Sequence, residues 1–158
     1  MNIERKWAMP SRWTFSIKPI KELLQEEVGN SSSWIDPFAG ENGYLYADYT
    51  NDIEKDGLDA LEFLRGFADN FAEGILYDPP YSITQARMYG KKEFSSMKYW
   101  ADCKNEMARI IKPGGKAICF GWNSMGLGKN RGFEMKRILL VPHGGSKNDT
   151  ICTVEIKI

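Results

Sequence analysis

Two short apolar segments run straight into proline turns, and together they restrict the folds open to this chain. Trp34-Ile35-Asp36 continues as Pro37-Phe38-Ala39-Gly40-Glu41-Asn42-Gly43, and Gly74-Ile75-Leu76-Tyr77 continues as Asp78-Pro79-Pro80-Tyr81. Each reads as a strand that ends in a turn, because proline has no amide hydrogen and its φ is fixed. Glycines after the first turn let the backbone approach a ligand closely. Two such turns suit a parallel sheet of the α/β class, where loops gather at one edge and ligands bind there. Each segment alone also has a plain reading, as a strand-terminating turn or an Asn-Gly turn.

The remaining layout agrees with one α/β domain over 1–158, without a separate target-recognition domain. Residues 17–28 carry Ile20, Leu23, Leu24 and Val28 on one helical face, stopped by Gly29-Asn30. Strands are expected at 33–36, 47–51, 74–77 and 116–121, with helices over 58–71 and 97–111, the latter ended by Lys112-Pro113-Gly114-Gly115. Residues 137–141 and 150–158 are β-rich around a glycine turn, which predicts an antiparallel hairpin at the sheet edge. Residues 82–96 show no period and read as a loop or lid.

Asp78-Pro79-Pro80-Tyr81 suits methylation of an exocyclic amino group. The lone pair of such an amine is conjugated with its ring until the nitrogen pyramidalises, and acceptors on its two hydrogens favour that change. Asp78 and the carbonyl of Pro79 supply acceptors, the prolines hold the turn rigid, and Tyr81 offers a ring on which an extruded base stacks.

With these motifs the chain resembles the S-adenosylmethionine-dependent adenine-specific DNA methyltransferases, especially the small forms of bacteriophages and prophages. The resemblance extends to Thr14-Phe15-Ser16-Ile17-Lys18-Pro19-Ile20, Thr50-Asn51-Asp52-Ile53, Asp59-Ala60-Leu61-Glu62-Phe63-Leu64 and Phe120-Gly121-Trp122-Asn123-Ser124, in the family's order. It implies a Rossmann-like methyltransferase fold and S-adenosylmethionine as cofactor. By the same resemblance, Asp36, Pro37, Phe38, Ala39 and Gly40 lie against the methionine part, and Thr14, Phe15 and Ile17 close over it. Asp52, beside Ile53, takes the ribose hydroxyls, and Asp59 takes the adenine amine with Ala60 covering the ring. Two alternatives stay open: Asp52 as an N-cap of the following turn, and Asp59 as the start of a helix. RNA or protein amides as substrates, or a weakly active binding subunit, are the competing functions.

One departure stands out. Only Tyr44-Leu45-Tyr46-Ala47-Asp48-Tyr49 separate Gly43 from Thr50, too few for the usual helix of 8 to 20 residues. That helix is expected to be shortened or missing. The cofactor pocket is then either more open or completed by a second chain, in a homodimer or with a heteromeric partner.

Net charge is +0, but it is divided along the chain. Residues 48–78 hold nine acids against Lys55 and Arg65, whereas residues 82–158 hold fourteen Lys and Arg against six acids. Arg87, Lys91, Lys92, Asn123, Lys129 and Arg131 are the expected contacts to a DNA or RNA backbone, with ordinary solvated faces as the alternative. Three cysteines without close spacing and one histidine, His143, argue against disulfides and a metal site, and suit a reducing cytoplasm, a host's if the chain is phage-encoded. No leader or long apolar run is read, so no membrane association is expected.

Overall fold

The computed structural model describes residues 1–40, 45–80 and 97–158. Its elements are β1 (Asn2–Arg5), α1 (Lys18–Val28), β2 (Trp34–Asp36), β3 (Tyr49–Thr50), α2 (Ile53–Asp56), α3 (Ala60–Arg65), β4 (Ala72–Tyr77), α4 (Met97–Ile110), β5 (Ile111–Gly121), β6 (Phe133–Val141) and β7 (Thr150–Lys157). The strands form one sheet in the order β1-β6-β7-β5-β4-β2-β3. All pairings are parallel except those of β7, which is antiparallel to both β5 and β6.

Both faces of the sheet are covered, which is why β4 is apolar from Gly74 to Tyr77. On one face α1 buries Ile20, Leu23, Leu24 and Val28 against Trp34, Leu76, Ile118, Val141 and Val154. Each such side chain contributes about 1.5–3 kcal/mol relative to remaining exposed. Pro19 sits in the first turn of α1, where no amide hydrogen is needed, and Gly29 at φ 56° ends it. On the other face α3 and α4 cover Ile35, Ile75, Tyr77, Ala117 and Phe133 with Leu61, Leu64, Cys103, Met107 and Ile110. Gly74 is required where β2 meets β4: the Trp34 ring occupies the place of its missing side chain, and a Cβ would lie 2.5 Å from ring atoms.

Several expectations are corrected. The C-terminal hairpin is not at the sheet edge. β7 inserts between β5 and β6, and β1 pairs with β6 to form the border. β1 has no alternating pattern to betray it, since Asn2, Ile3 and Arg5 are all exposed. The helix expected over 58–71 is only α3, preceded by the single turn of α2. Gly57 at φ 67° stops α2, Gly66 caps α3, and Asn70 at φ 54° turns the chain into β4, which starts at Ala72 rather than Gly74. The strand expected over 47–51 shrinks to β3. After α4, Ile111 already pairs with Ala72, so Lys112-Pro113-Gly114-Gly115 forms a bulge within β5 rather than a connection before it. Gly115 is needed there, since a Cβ would lie 2.8 Å from the Glu73 carbonyl oxygen. No α-helix occurs between β2 and β3 among the described residues.

Candidate active site

β2 and β4 are adjacent and parallel, with Ile35 opposite Ile75, so their C-terminal ends emerge side by side. Alternation along the strands puts Asp36 and Asp78 on the face covered by α1, as Trp34 and Leu76 are. Asp36 is fully buried. Its Oδ1 accepts from the Phe38 amide at 3.0 Å, whereas its Oδ2 is buried without a hydrogen-bond partner. Burial, and secondarily the nearby Asp78 carboxylate, push the Asp36 carboxyl well above the usual carboxylate range; the Phe38 amide opposes them. Asp78, Pro79 and Pro80 are half-buried at the sheet edge.

The first turn is laced to the end of β3. The Ala39 amide donates to the Asn51 carbonyl at 3.0 Å, and the Asn51 amide to the Asp36 carbonyl at 3.0 Å. Pro37 is buried, Gly40 takes φ 55°, and the Phe38 ring packs against Tyr77 and Trp100 with centroids 5.9 and 6.0 Å away. Asn51, buried to 2%, donates its side-chain amide to the Leu58 carbonyl at 2.8 Å. It thereby ties together the loops that carry Asp36, Asp52 and Asp59.

Both open alternatives for the acidic pair are realised. Asp52 is the N-cap of α2, accepting from the Glu54 amide at 2.9 Å, and Ile53 behind it is half-buried. Asp59 caps α3 through Oδ2, which accepts from the Leu61 and Glu62 amides at 3.1 and 3.4 Å, and Ala60 is buried. Its Oδ1 accepts from the Tyr99 hydroxyl at 2.6 Å. Capping does not exhaust these carboxylates, since each oxygen has two lone pairs. Thr14 opens a short 3-10 turn, Phe15 is buried against Phe120 and Tyr46 with centroids 5.0 and 6.0 Å away, and Ile17 belongs to the α1-face core. Asn51 and Tyr99 went unmarked in the sequence reading. Asn51 adjoins Asp52 in a quoted motif, but the Tyr99–Asp59 contact spans forty residues and leaves no local signal.

Among the described residues, Lys129 and Arg131 do not converge on this edge. Asn123 stays at the C-terminal edge, accepting from the Met125 amide at 3.0 Å. Lys129 and Arg131 precede Gly132, and Phe133 pairs with Lys157, so they lie toward the opposite ends of the strands, on the α4 side. That loop is pinned rather than flexible. Buried Glu155 accepts from the Leu127 and Gly128 amides at 2.6 and 3.0 Å, and Arg131 donates to Asn105 Oδ1 and the Leu127 carbonyl at 2.8 and 3.0 Å. A cavity of about 220 Å³ between Lys104 and this loop is likewise apart from the carboxylate pair. Tyr81, Arg87, Lys91 and Lys92 lie outside the described residues, as do Glu41, Asn42, Gly43 and Tyr44.

The carboxylate pair predicts a pH-dependent stability. A carboxyl raised above its unfolded value stabilises the fold below the unfolded pKa, and that contribution is lost as pH rises through the folded value. Asp36→Asn keeps the acceptor for the Phe38 amide but never ionises. Its unfolding free energy should fall below or match that of wild type near pH 4 and exceed it increasingly toward pH 9 in denaturant titrations. Parallel pH profiles would show that Asp36 is not held neutral.

No family model matches the sequence, and no curated protein matches it. Solved structures do. TrmN from Thermus thermophilus superimposes with a TM-score of 0.59 at 16% identity over 90% of this chain, which spans 49% of TrmN. The N-methyltransferase NodS from Bradyrhizobium japonicum WM9 gives 0.58 at 9% identity, covering 89% of this chain and 94% of NodS. The PH0226 protein from Pyrococcus horikoshii OT3 gives 0.55 at 13% identity, covering 89% of each chain. Likeness at such identities concerns architecture, and it places this seven-stranded sheet in the Rossmann-like methyltransferase fold.

Proposed function

We propose that this chain transfers a methyl group from S-adenosylmethionine to the 6-amino group of adenine in DNA. The observation that carries the reading is the placement of the Asp78-Pro79-Pro80 turn beside buried Asp36 at the C-terminal edge of β2 and β4. The structural likeness to an N-methyltransferase, solved also with S-adenosyl-L-homocysteine, supports it. The cofactor would supply an electrophilic methyl group on a cationic sulfur. The residues present fit such a ligand: Asp36 Oδ2 is buried without a partner, so its raised carboxyl would ionise against a cation bound beside it, and Asp52 and Asp59 lie on the adjoining loops. Asp36 to Gly40 would hold the methionine part, Asp52 the ribose and Asp59 the adenine.

Asp78 and the Pro79 carbonyl act on the substrate amine. They accept hydrogen bonds from its two hydrogens and so favour a pyramidal nitrogen whose lone pair points away from the ring. Because the proline turn fixes both acceptors in advance, little reorganisation remains at the moment of reaction. The transfer is direct, without a covalent enzyme intermediate. The three cysteines are buried, and burial pushes the Cys103 and Cys119 thiols up to about 12, so neither is a thiolate nucleophile near neutral pH.

The short β3, and the lack of an α-helix between β2 and β3 among the described residues, favour a second reading, a weakly active binding subunit whose cofactor half is completed by another chain. Calorimetry with S-adenosylhomocysteine separates the two. Wild type should bind alone, and Asp52→Asn, which preserves the cap but removes one charged acceptor, should bind roughly tenfold more weakly or worse. No heat with wild type would favour the binding-subunit reading.

A further inference from the structure

Apart from the carboxylate pair, the connection from β5 to β6 is built over a buried acid. Glu155 on β7 is 1% exposed, and its two oxygens are taken by the Leu127 and Gly128 amides. Only glycine fits at 126: φ is 57°, and a Cβ would fall on the Glu155 carboxylate. The loop is therefore fixed against the sheet. Between it and α4 lies the cavity of about 220 Å³, lined by Lys104 of α4, by Lys129, Asn130 and Arg131, and by residues 125–128, with no acid among them.

Three cations thus share one small cavity. Arg109, Arg137 and Lys116 are each matched by carboxylates: Asp69 and Glu106, then Glu4, Glu26 and Glu27, then Glu27. Lys104, Lys129 and Arg131 form no ion pair among the described residues. The fold also uses only part of their hydrogen-bonding capacity. Lys104 gives one of its three hydrogens, to the Gly126 carbonyl at 2.8 Å, and Arg131 gives two of its five, to Asn105 Oδ1 and the Leu127 carbonyl at 2.8 and 3.0 Å. Lys129 is exposed and gives none among the described residues. Like charges gathered in one place repel, and an anion among them removes that cost.

We propose that this cavity binds a phosphate dianion, either inorganic phosphate or the terminal phosphate of a nucleotide. Guanidinium and ammonium groups are the side chains that hold phosphoryl oxygens, and a dianion matches three cations better than the single charge of a backbone phosphodiester. Size agrees. Clefts for drug-sized ligands run to about 300–1,000 Å³, so this one takes a phosphate group and leaves the rest of a nucleotide outside. Because Glu155 fixes the loop in advance, little ordering remains to be done on binding. The assignment is independent of the methyltransferase reading, since it uses none of the residues assigned to cofactor or amine.

The test is calorimetric titration of the whole chain with sodium phosphate at constant ionic strength near pH 8, where the group is a dianion. Wild type should bind one equivalent. Lys129→Ala, which removes no contact that holds the fold, should weaken binding roughly tenfold, the scale of losing one charged hydrogen bond. Lys129→Glu should abolish it. Both variants should keep the wild-type urea midpoint, so that lost binding is not lost folding. Thymidine should not displace phosphate. Displacement by thymidine 5′-monophosphate at comparable or lower concentration would identify the nucleotide as the source, and much weaker displacement would identify inorganic phosphate. No binding of phosphate by wild type, unchanged affinity in Lys129→Glu, or equal displacement by a 5′-hydroxyl oligothymidylate would overturn the assignment. Failure of the methyltransferase reading looks different: no S-adenosylhomocysteine heat, with phosphate binding intact.

Discussion

Asp78→Ala is expected to lower the methyl-transfer rate on an adenine-containing oligonucleotide by at least about 10²-fold, the scale of losing one preorganised polar contact to a transition state. The fold should persist, because Asp78 is only half-buried and follows the last residue of β4. Cofactor affinity should change little, since the residues assigned to the cofactor lie on other loops. Burial alone would still raise Asp36, but the contribution from the Asp78 charge would vanish, so the pH dependence of stability should shift with this variant. A loss of rate at constant cofactor affinity separates a role toward the amine from a general collapse of the edge. Equal single-turnover rates for wild type and variant would remove Asp78 from the chemistry.

Trp34→Ala should be the most damaging single change to the fold, at about 3–5 kcal/mol, a large share of the total for a domain of ordinary stability. Trp34 is buried to 1% and fills the space over Gly74. Its indole nitrogen donates to Ser31 Oγ at 2.5 Å, and its amide to Asp48 Oδ2 at 3.2 Å. The residue therefore sets the packing of β2 on β4 and the path from β2 to β3, two positions before Asp36. Urea titration should show the loss, and any folded remainder should bind S-adenosylhomocysteine poorly. A compensating Gly74→Ala in the same chain should recover part of the stability, because the Cβ enters the space the indole leaves. Gly74→Ala on its own should destabilise, because there the same Cβ meets the ring.

The parts of this molecule that read most clearly from sequence are those governed by local chemistry. Apolar strands that stop at Asp36-Pro37 and Asp78-Pro79 marked the edge where β2 and β4 end side by side, and the spacing of Ile20, Leu23, Leu24 and Val28 located α1. Where a tertiary partner decides the outcome, the pattern was silent. β1 is held by backbone pairing to β6 while its side chains stay exposed, so no alternation marks it. The insertion of β7 between β5 and β6 depends on contacts among three strands, and a two-strand hairpin looks the same in sequence wherever it lies. At the site, Asp52 and Asp59 were legible as acids at element starts, and their capping is local, but the Tyr99 hydroxyl on Asp59 required the packing of α3 against α4. Lys129 and Arg131 were grouped with the site by charge, although the β5–β6 connection carries them toward the far ends of the strands.

Methylation-sensitive sequencing of genomic DNA from cells expressing the chain tests the central claim most directly, with cells expressing Asp78→Ala as the reference. N6-methylated adenines are expected with wild type and should be absent or nearly so with the variant at equal protein levels. Identical adenine methylation in the two, or none in either while the purified protein binds S-adenosylhomocysteine, would contradict it.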